Sequence, residues 1–218
     1  MPGSTVRETA APSGVRSATL GRALFACLRL MDEEAGAKWG LEDYGRFLRP
    51  ELKRPSHEAA WVRRVSELLR HDSVATLLDA RYPAAPRNRC GLRLTLPDGA
   101  RVWIETKGAW KTYWALKRKL WVYRSLLFHP LLPGLDRRKR HTAALDVARL
   151  ATLSRRDADH AAFLLVGFDD GLHPMTRDVD EFTRLAGLDG WSTSATSWPC
   201  MRRLGHQVRL WYWSRPAL

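Results

Sequence analysis

The spacing of apolar and polar residues changes several times along this chain, and each change marks an element. Residues 1–17, rich in Pro, Gly, Ser, Thr and Ala, carry no period and are expected to form a flexible leader. Leu20, Leu24, Phe25 and Leu28 then recur at helical intervals and predict a short helix over 18–31. Residues 36–55 are irregular and read as a connector, so 18–55 forms an N-terminal helix-and-connector segment ahead of a main domain at 56–218. Pro55-Ser56 gives a helix start with Ser56 as N-cap, followed by the stripe Trp61, Val62, Val65, Leu68 and Leu69. Glu58 lies three and four residues before Trp61 and Val62, on the apolar side of that helix. There it either complements the helix dipole or reaches into a site on the sheet below.

Period two takes over next. Leu92, Leu94 and Leu96 alternate with Arg93 and Thr95, Pro97-Asp98-Gly99 interrupts, and Arg101-Val102-Trp103-Ile104-Glu105-Thr106-Lys107 resumes. This is a hairpin pattern. If the leucines share a face with Val102 and Ile104, Leu92 stands opposite Ile104 and Leu94 opposite Val102, which requires a three-residue loop with Gly99 left-handed at its end. The same register sets Gly91 across from Glu105, and Asp98 becomes a turn residue about 20 Å from Glu105 at roughly 3.3 Å per residue.

Further on, Trp110, Tyr113, Trp114, Leu120, Trp121, Leu127 and Phe128 predict a helix over 110–128 whose aromatic stripe is either core or a base-stacking platform. A turn at 129–134 leads to the basic run Asp136-Arg137-Arg138-Lys139-Arg140-His141, which is either a solvated loop or a phosphate contact. A helix is expected over 143–153, a strand covered on both faces over 161–168, a helix over 179–188 and a last strand over 208–213. The fold class is therefore α/β: a mixed central β-sheet flanked by helices.

Composition adds a partner. The 218 residues include 36 Lys and Arg against 23 Asp and Glu, a net charge of +13, which implies attraction to a polyanion such as nucleic acid. Cys27, Cys90 and Cys200 lack paired spacing, so neither a disulfide framework nor a zinc site is indicated and a reducing, cytoplasmic setting is expected. The apolar stretch from Leu20 to Leu30 is broken by Arg22 and Arg29, and no later run reaches the length of a membrane span. No nucleophile elbow, Cys/His signature or Gly-rich phosphate loop is present.

The candidate chemistry sits at the end of the second hairpin strand. Glu105 and Lys107, two residues apart, project from one face while Val102 and Ile104 point to the other. Such a pair is either an ion pair at a strand end or part of a metal-dependent phosphodiester site, with the carboxylate as ligand and the lysine orienting water or neutralising phosphate charge.

The helix with Glu58, the hairpin from Gly91 to Lys107, the helix expected from Trp110 and the strand from Ala161 together resemble the PD-(D/E)xK nuclease superfamily, with its restriction-endonuclease-like αβββαβ core. The resemblance covers roughly 56–168. It implies a metal-dependent endonuclease acting on DNA, with Glu105, Lys107 and Glu58 as catalytic residues and Mg2+ or Mn2+ held by Glu105 and Glu58, helped by Asp79 or Asp72. Lys111, Lys117, Arg118, Arg137, Arg138, Lys139 and Arg140 are the nucleic-acid contacts expected with it, and a homodimer or partner subunit is in keeping with the family. The sequence departs from the pattern at the first strand acid, where Gly91 stands. That departure favours the alternative of a catalytically degenerate module that binds nucleic acid or a partner subunit. A third reading makes the tryptophan-rich segment from Trp110 a protein interface.

Overall fold

The continuous apolar run at 161–168 lies where a run without polar relief must lie, inside a sheet covered on both sides. In the computed structural model, which describes residues 13–35, 57–71, 74–115, 120–123, 143–200 and 205–218, it is strand β6 (His160–Asp170), buried at every position but the last. β6 belongs to a six-stranded sheet of order β1-β2-β3-β6-β8-β7. The other members are β1 (Ala75–Tyr82), β2 (Ala85–Thr95), β3 (Arg101–Trp110), β7 (Ser192–Pro199) and β8 (His206–Pro216). Every neighbouring pair is antiparallel except β3 and β6, which run parallel. The sheet is mixed, as expected.

Among the described residues four helices complete the layers: α1 (Ser13–Ala35), α2 (His57–His71), α3 (Ala143–Leu150) and α4 (Thr176–Leu185). On one face Leu24 and Leu28 of α1 and Trp61 and Val65 of α2 pack on Leu92, Ile104, Leu164 and Leu210. On the other, Val147 and Leu150 of α3 and Val179 and Phe182 of α4 meet Trp103, Phe163, Leu165 and Trp213. Each large side chain removed from water in these two layers contributes about 1.5–3 kcal/mol. All three cysteines are free thiols, and no helix among the described residues is long and apolar enough to cross a membrane.

The hairpin register follows the leucine pattern. Leu92 pairs with Ile104 and Leu94 with Val102, and the loop closes through Gly99 N–H donating to Leu96 O at 2.8 Å. Gly99 is left-handed at φ 85°, and Asp98 accepts the Ala100 N–H at 3.0 Å as a turn residue.

One expected helix is absent. Trp110 ends β3, and residues 112–123 contain β4 (Thr112–Ala115) and β5 (Leu120–Tyr123), an antiparallel pair with Thr112 opposite Tyr123 and Ala115 opposite Leu120. Tyr113, Trp114, Trp121, Val122 and Tyr123 are aromatic or β-branched, residue types that favour a pleated surface, and that preference overrides the helical spacing. The end of the expected helix, with the turn at 129–134, lies outside the described residues, as do the leader's first twelve residues and the connector at 36–55.

Candidate active site

β2 pairs with β3 only from Leu92 to Thr95. Past Leu92, β2 stays with β1 while β3 continues alongside β6 as far as Trp110. The two strands therefore splay apart beginning at Gly91 and Glu105, the pair next in register. The gap is a cleft of about 400 Å³ lined by Asp79 of β1, Arg87, Arg89 and Gly91 of β2, Glu105 and Lys107 of β3, Arg63 of α2, and Asp146 and Arg149 of α3.

The strand pair also rolls over at this point. Residues two apart on a regular strand share a face, yet Leu78 and Leu92 pack in the α1/α2 layer while Ala80, Tyr82 and Cys90 pack in the α3/α4 layer. The exchange is centred on Asp79 and Gly91, which stand between the pairs Leu78/Leu92 and Ala80/Cys90. Asp79 takes a left-handed φ of 53°, a conformation that aspartate tolerates better than most residues. As a result the Tyr82 hydroxyl donates to Glu105 Oε1 at 2.9 Å, and the Tyr82 ring lies 5.3 Å from that of Trp103.

Glu105 is buried, at 6% exposure. Its second oxygen accepts the Gly91 N–H at 3.1 Å. Burial, then the nearby charge of Asp146, pushes its carboxyl up to about 7, against the opposing pull of the Tyr82 and Gly91 hydrogen bonds and of Lys107. Burial, with the charges of Cys90 and Glu105, holds the Tyr82 phenol well above its ordinary value, so it remains a donor. Burial and Glu105 do the same to the Cys90 thiol. A carboxyl that titrates near neutrality in a cleft marks a functional-site candidate.

Lys107 does share a face with Glu105, but its ion pair is with another residue. Its Nζ lies 3.1 Å from Asp146 Oδ2, with both side chains largely buried, and Arg149 Nη1 donates to Asp146 Oδ1 at 2.8 Å. Asp146 is a member of the site that sequence reasoning missed. The helix at 143–153 was legible, and Asp146 is buried on α3 beside Val147 and Leu150, a placement visible only as an acid on an apolar helical face.

The other expected site residues distribute as follows. Asp79 lines the cleft and is exposed, two strands from Glu105, or about 10 Å between backbones. Glu58 is in α2, whose Val62 and Arg63 reach the cleft, but its side chain lies outside the described part of the structure, as do Asp72, Lys117, Arg118, Arg137, Arg138, Lys139 and Arg140. Lys111 is not a surface contact: it is 5% exposed and its ammonium is bound to Asp178 of α4. The arginines that line the cleft are instead Arg63, Arg87, Arg89 and Arg149, whose scattered positions form no basic run in the sequence.

Among the described residues no three carboxylate, histidine or cysteine side chains stand at metal-ligand spacing. Glu105 and Asp146, the charge of one raising the proton affinity of the other, are the carboxylates that would hold a divalent ion in this cleft; Mg2+ commonly takes one or two and completes its shell with water and phosphate. The position opposite Glu105 has room for another. A Cβ on Gly91 would meet Glu105 Oε2 and Thr106 Oγ1 at 3.7 Å, which is ordinary contact. Gly91→Asp is therefore expected to fold and, by adding a second strand carboxylate about 5 Å from Glu105, to lower the Mg2+ concentration needed for half-maximal thermal stabilisation at least about tenfold. An unchanged midpoint would remove position 91 from any ligand set.

No family model matches the chain, and neither a curated protein nor a solved structure is similar to it at a significant level.

Proposed function

We propose that the chain is a metal-dependent endonuclease of the restriction-endonuclease-like kind, hydrolysing DNA phosphodiester bonds in the cleft between β2 and β3. The observation that carries the reading is the convergence of Glu105, Lys107 and Asp146 in a cleft ringed by Arg63, Arg87, Arg89 and Arg149. The order α2, β1, β2, β3, α3, β6, with β4 and β5 inserted before α3, supports the αβββαβ resemblance. Arginine forks receive phosphate oxygens with two parallel hydrogen bonds. Asp146 holds the Lys107 ammonium at the cleft wall, where it neutralises charge that develops on the phosphate as water attacks phosphorus and the bond to the leaving sugar oxygen breaks. Tyr82 and the Gly91 N–H fix the Glu105 carboxylate in orientation. A divalent ion at Glu105 and Asp146, with Asp79 in reach through water, would supply further charge neutralisation at the phosphate.

Supercoiled plasmid is expected to be nicked in Mg2+ and left intact in EDTA, with nicking reduced at least ~100-fold in Glu105→Ala and in Lys107→Ala. Cleavage that survives both substitutions, or proceeds in EDTA, overturns the proposal.

A second reading has its own support. Both Glu105 oxygens already accept hydrogen bonds, the position across the strand is a glycine, and the carboxyl holds its proton up to about pH 7. These features favour a degenerate nuclease-fold module that binds nucleic acid without cutting it. That module binds DNA with strong salt dependence and no requirement for divalent ions.

A further inference from the structure

Past Gly91, β1 and β2 pair only with each other, so residues 80–90 form a two-stranded ribbon beside the cleft, with Ala80, Tyr82 and Cys90 on the α3/α4 layer and the alternate positions facing outward. Its charge has one sign. Arg81, Arg87 and Arg89 are exposed, and the segment contains neither Asp nor Glu. Arg81 and Arg89 stand directly opposite one another in the register, an arrangement that destabilises a strand pair. Among the described residues neither they nor Arg87 makes an ion pair with an acid. Charged residues at a sheet edge also deter edge-to-edge association, but that purpose does not require an opposed like-charged pair, nor arginines continuous with a cleft that carries Arg63 and Arg149 as well. Opposed cations on a ribbon match a polyanion that passes over both strands.

We infer that the ribbon at 80–90 is a duplex-DNA-binding arm, with Arg81, Arg87 and Arg89 on the phosphates that flank one groove. A two-stranded ribbon fits the major groove of B-DNA, about 12 Å wide, whereas the deep, narrow major groove of an RNA helix excludes it. The inference deepens the nuclease reading and rests on it for its purpose, since the arm lays a neighbouring phosphodiester over Glu105 and Lys107. The arm's binding itself needs neither metal nor cleavage.

The test uses the full chain in EDTA with a fluorescein-labelled DNA duplex, with anisotropy followed against salt concentration. The triple variant Arg81→Gln, Arg87→Gln, Arg89→Gln is expected to weaken binding at least ~10-fold. It is also expected to flatten the logarithmic salt dependence by about 0.9 for each phosphate contact removed. Arg177→Gln with Arg184→Gln, exposed on α4, leaves both unchanged, and matching urea melts show that the variants fold. An unchanged salt slope in the triple variant, absence of duplex binding by the wild type, or equal affinity for double-stranded RNA overturns the arm. Plasmid nicking separates the two ideas. Loss of binding in the triple variant with no nicking by any preparation leaves the arm standing and removes the nuclease; undiminished nicking by the triple variant removes the arm and leaves the nuclease.

Discussion

Between pH 5 and pH 8 without divalent metal, the protein is expected to lose about 2–3 kcal/mol of stability through the single carboxyl of Glu105. The folded value of about 7 stands above the value of about 4.3 in an unfolded chain. In that interval the folded protein holds a proton that the unfolded chain has released, so stability falls as pH rises. The contribution is complete below about pH 4 and gone above about pH 7. Burial and the charge of Asp146 are its causes, and both disappear on unfolding. Urea unfolding at the two pH values, compared with the same pair of measurements on Glu105→Gln, isolates the effect. The glutamine variant keeps the shape and one of the two acceptor oxygens but carries no titratable proton, and its stability is expected to be nearly level where that of the wild type declines. Parallel profiles for the two proteins would show that Asp146 and burial do not act on this group as described. Mg2+ added at pH 8 is expected to restore stability to the wild type and not to Glu105→Gln, because a bound cation favours the ionised carboxylate.

Asp169→Ala is expected to destabilise the protein by about 3–5 kcal/mol, the cost of breaking a buried ion pair by removing one partner. Asp169, next to last in β6, has no exposure. Its Oδ2 accepts both the Met175 N–H at 2.8 Å and Arg209 Nε of β8 at 2.6 Å. One carboxylate thus ties the central strand, the entry to α4 and the neighbouring strand. The alanine variant leaves the Arg209 guanidinium without its counter-charge and the Met175 amide without an acceptor, losses that nearby water offsets only in part. Equilibrium urea unfolding measures the difference. A loss below about 1 kcal/mol would mean that these bonds do not hold α4 against the sheet.

What was readable in the chain was what repeats along it. The leucines at 92, 94 and 96 carried enough periodicity to fix a register, and the register in turn placed Gly91 opposite Glu105. β6 was legible because a strand buried on both faces has no polar positions to blur it. The edge strands were not. β7 is exposed along most of its length and β1 at every other position; Ser192-Thr193-Ser194 carries no apolar alternation, and β1 breaks its own at Asp79. The aromatic segment after Trp110 fits either period, and side-chain preference for a pleat decided it. At the site, Glu105 and Lys107 were visible as a spacing. Asp146, Arg63 and Arg149 come from helices, and no spacing in the sequence links them to β3. Tyr82 reaches Glu105 only because the strand pair turns over at two residues whose backbone behaviour the sequence does not announce.

The parallel alignment of β3 and β6 has a kinetic consequence. Two strands that run the same way cannot be joined by a tight turn, so residues 111–159 must leave the sheet and come back before the pair can close. That excursion carries α3, and with it the counter-ion of Lys107. The event that zips the middle of the sheet is therefore the same one that completes the cleft wall. Because it joins positions far apart in the chain, it belongs to the slow class of folding steps, and a nascent chain halted before residue 143 carries the lysine without its counter-ion.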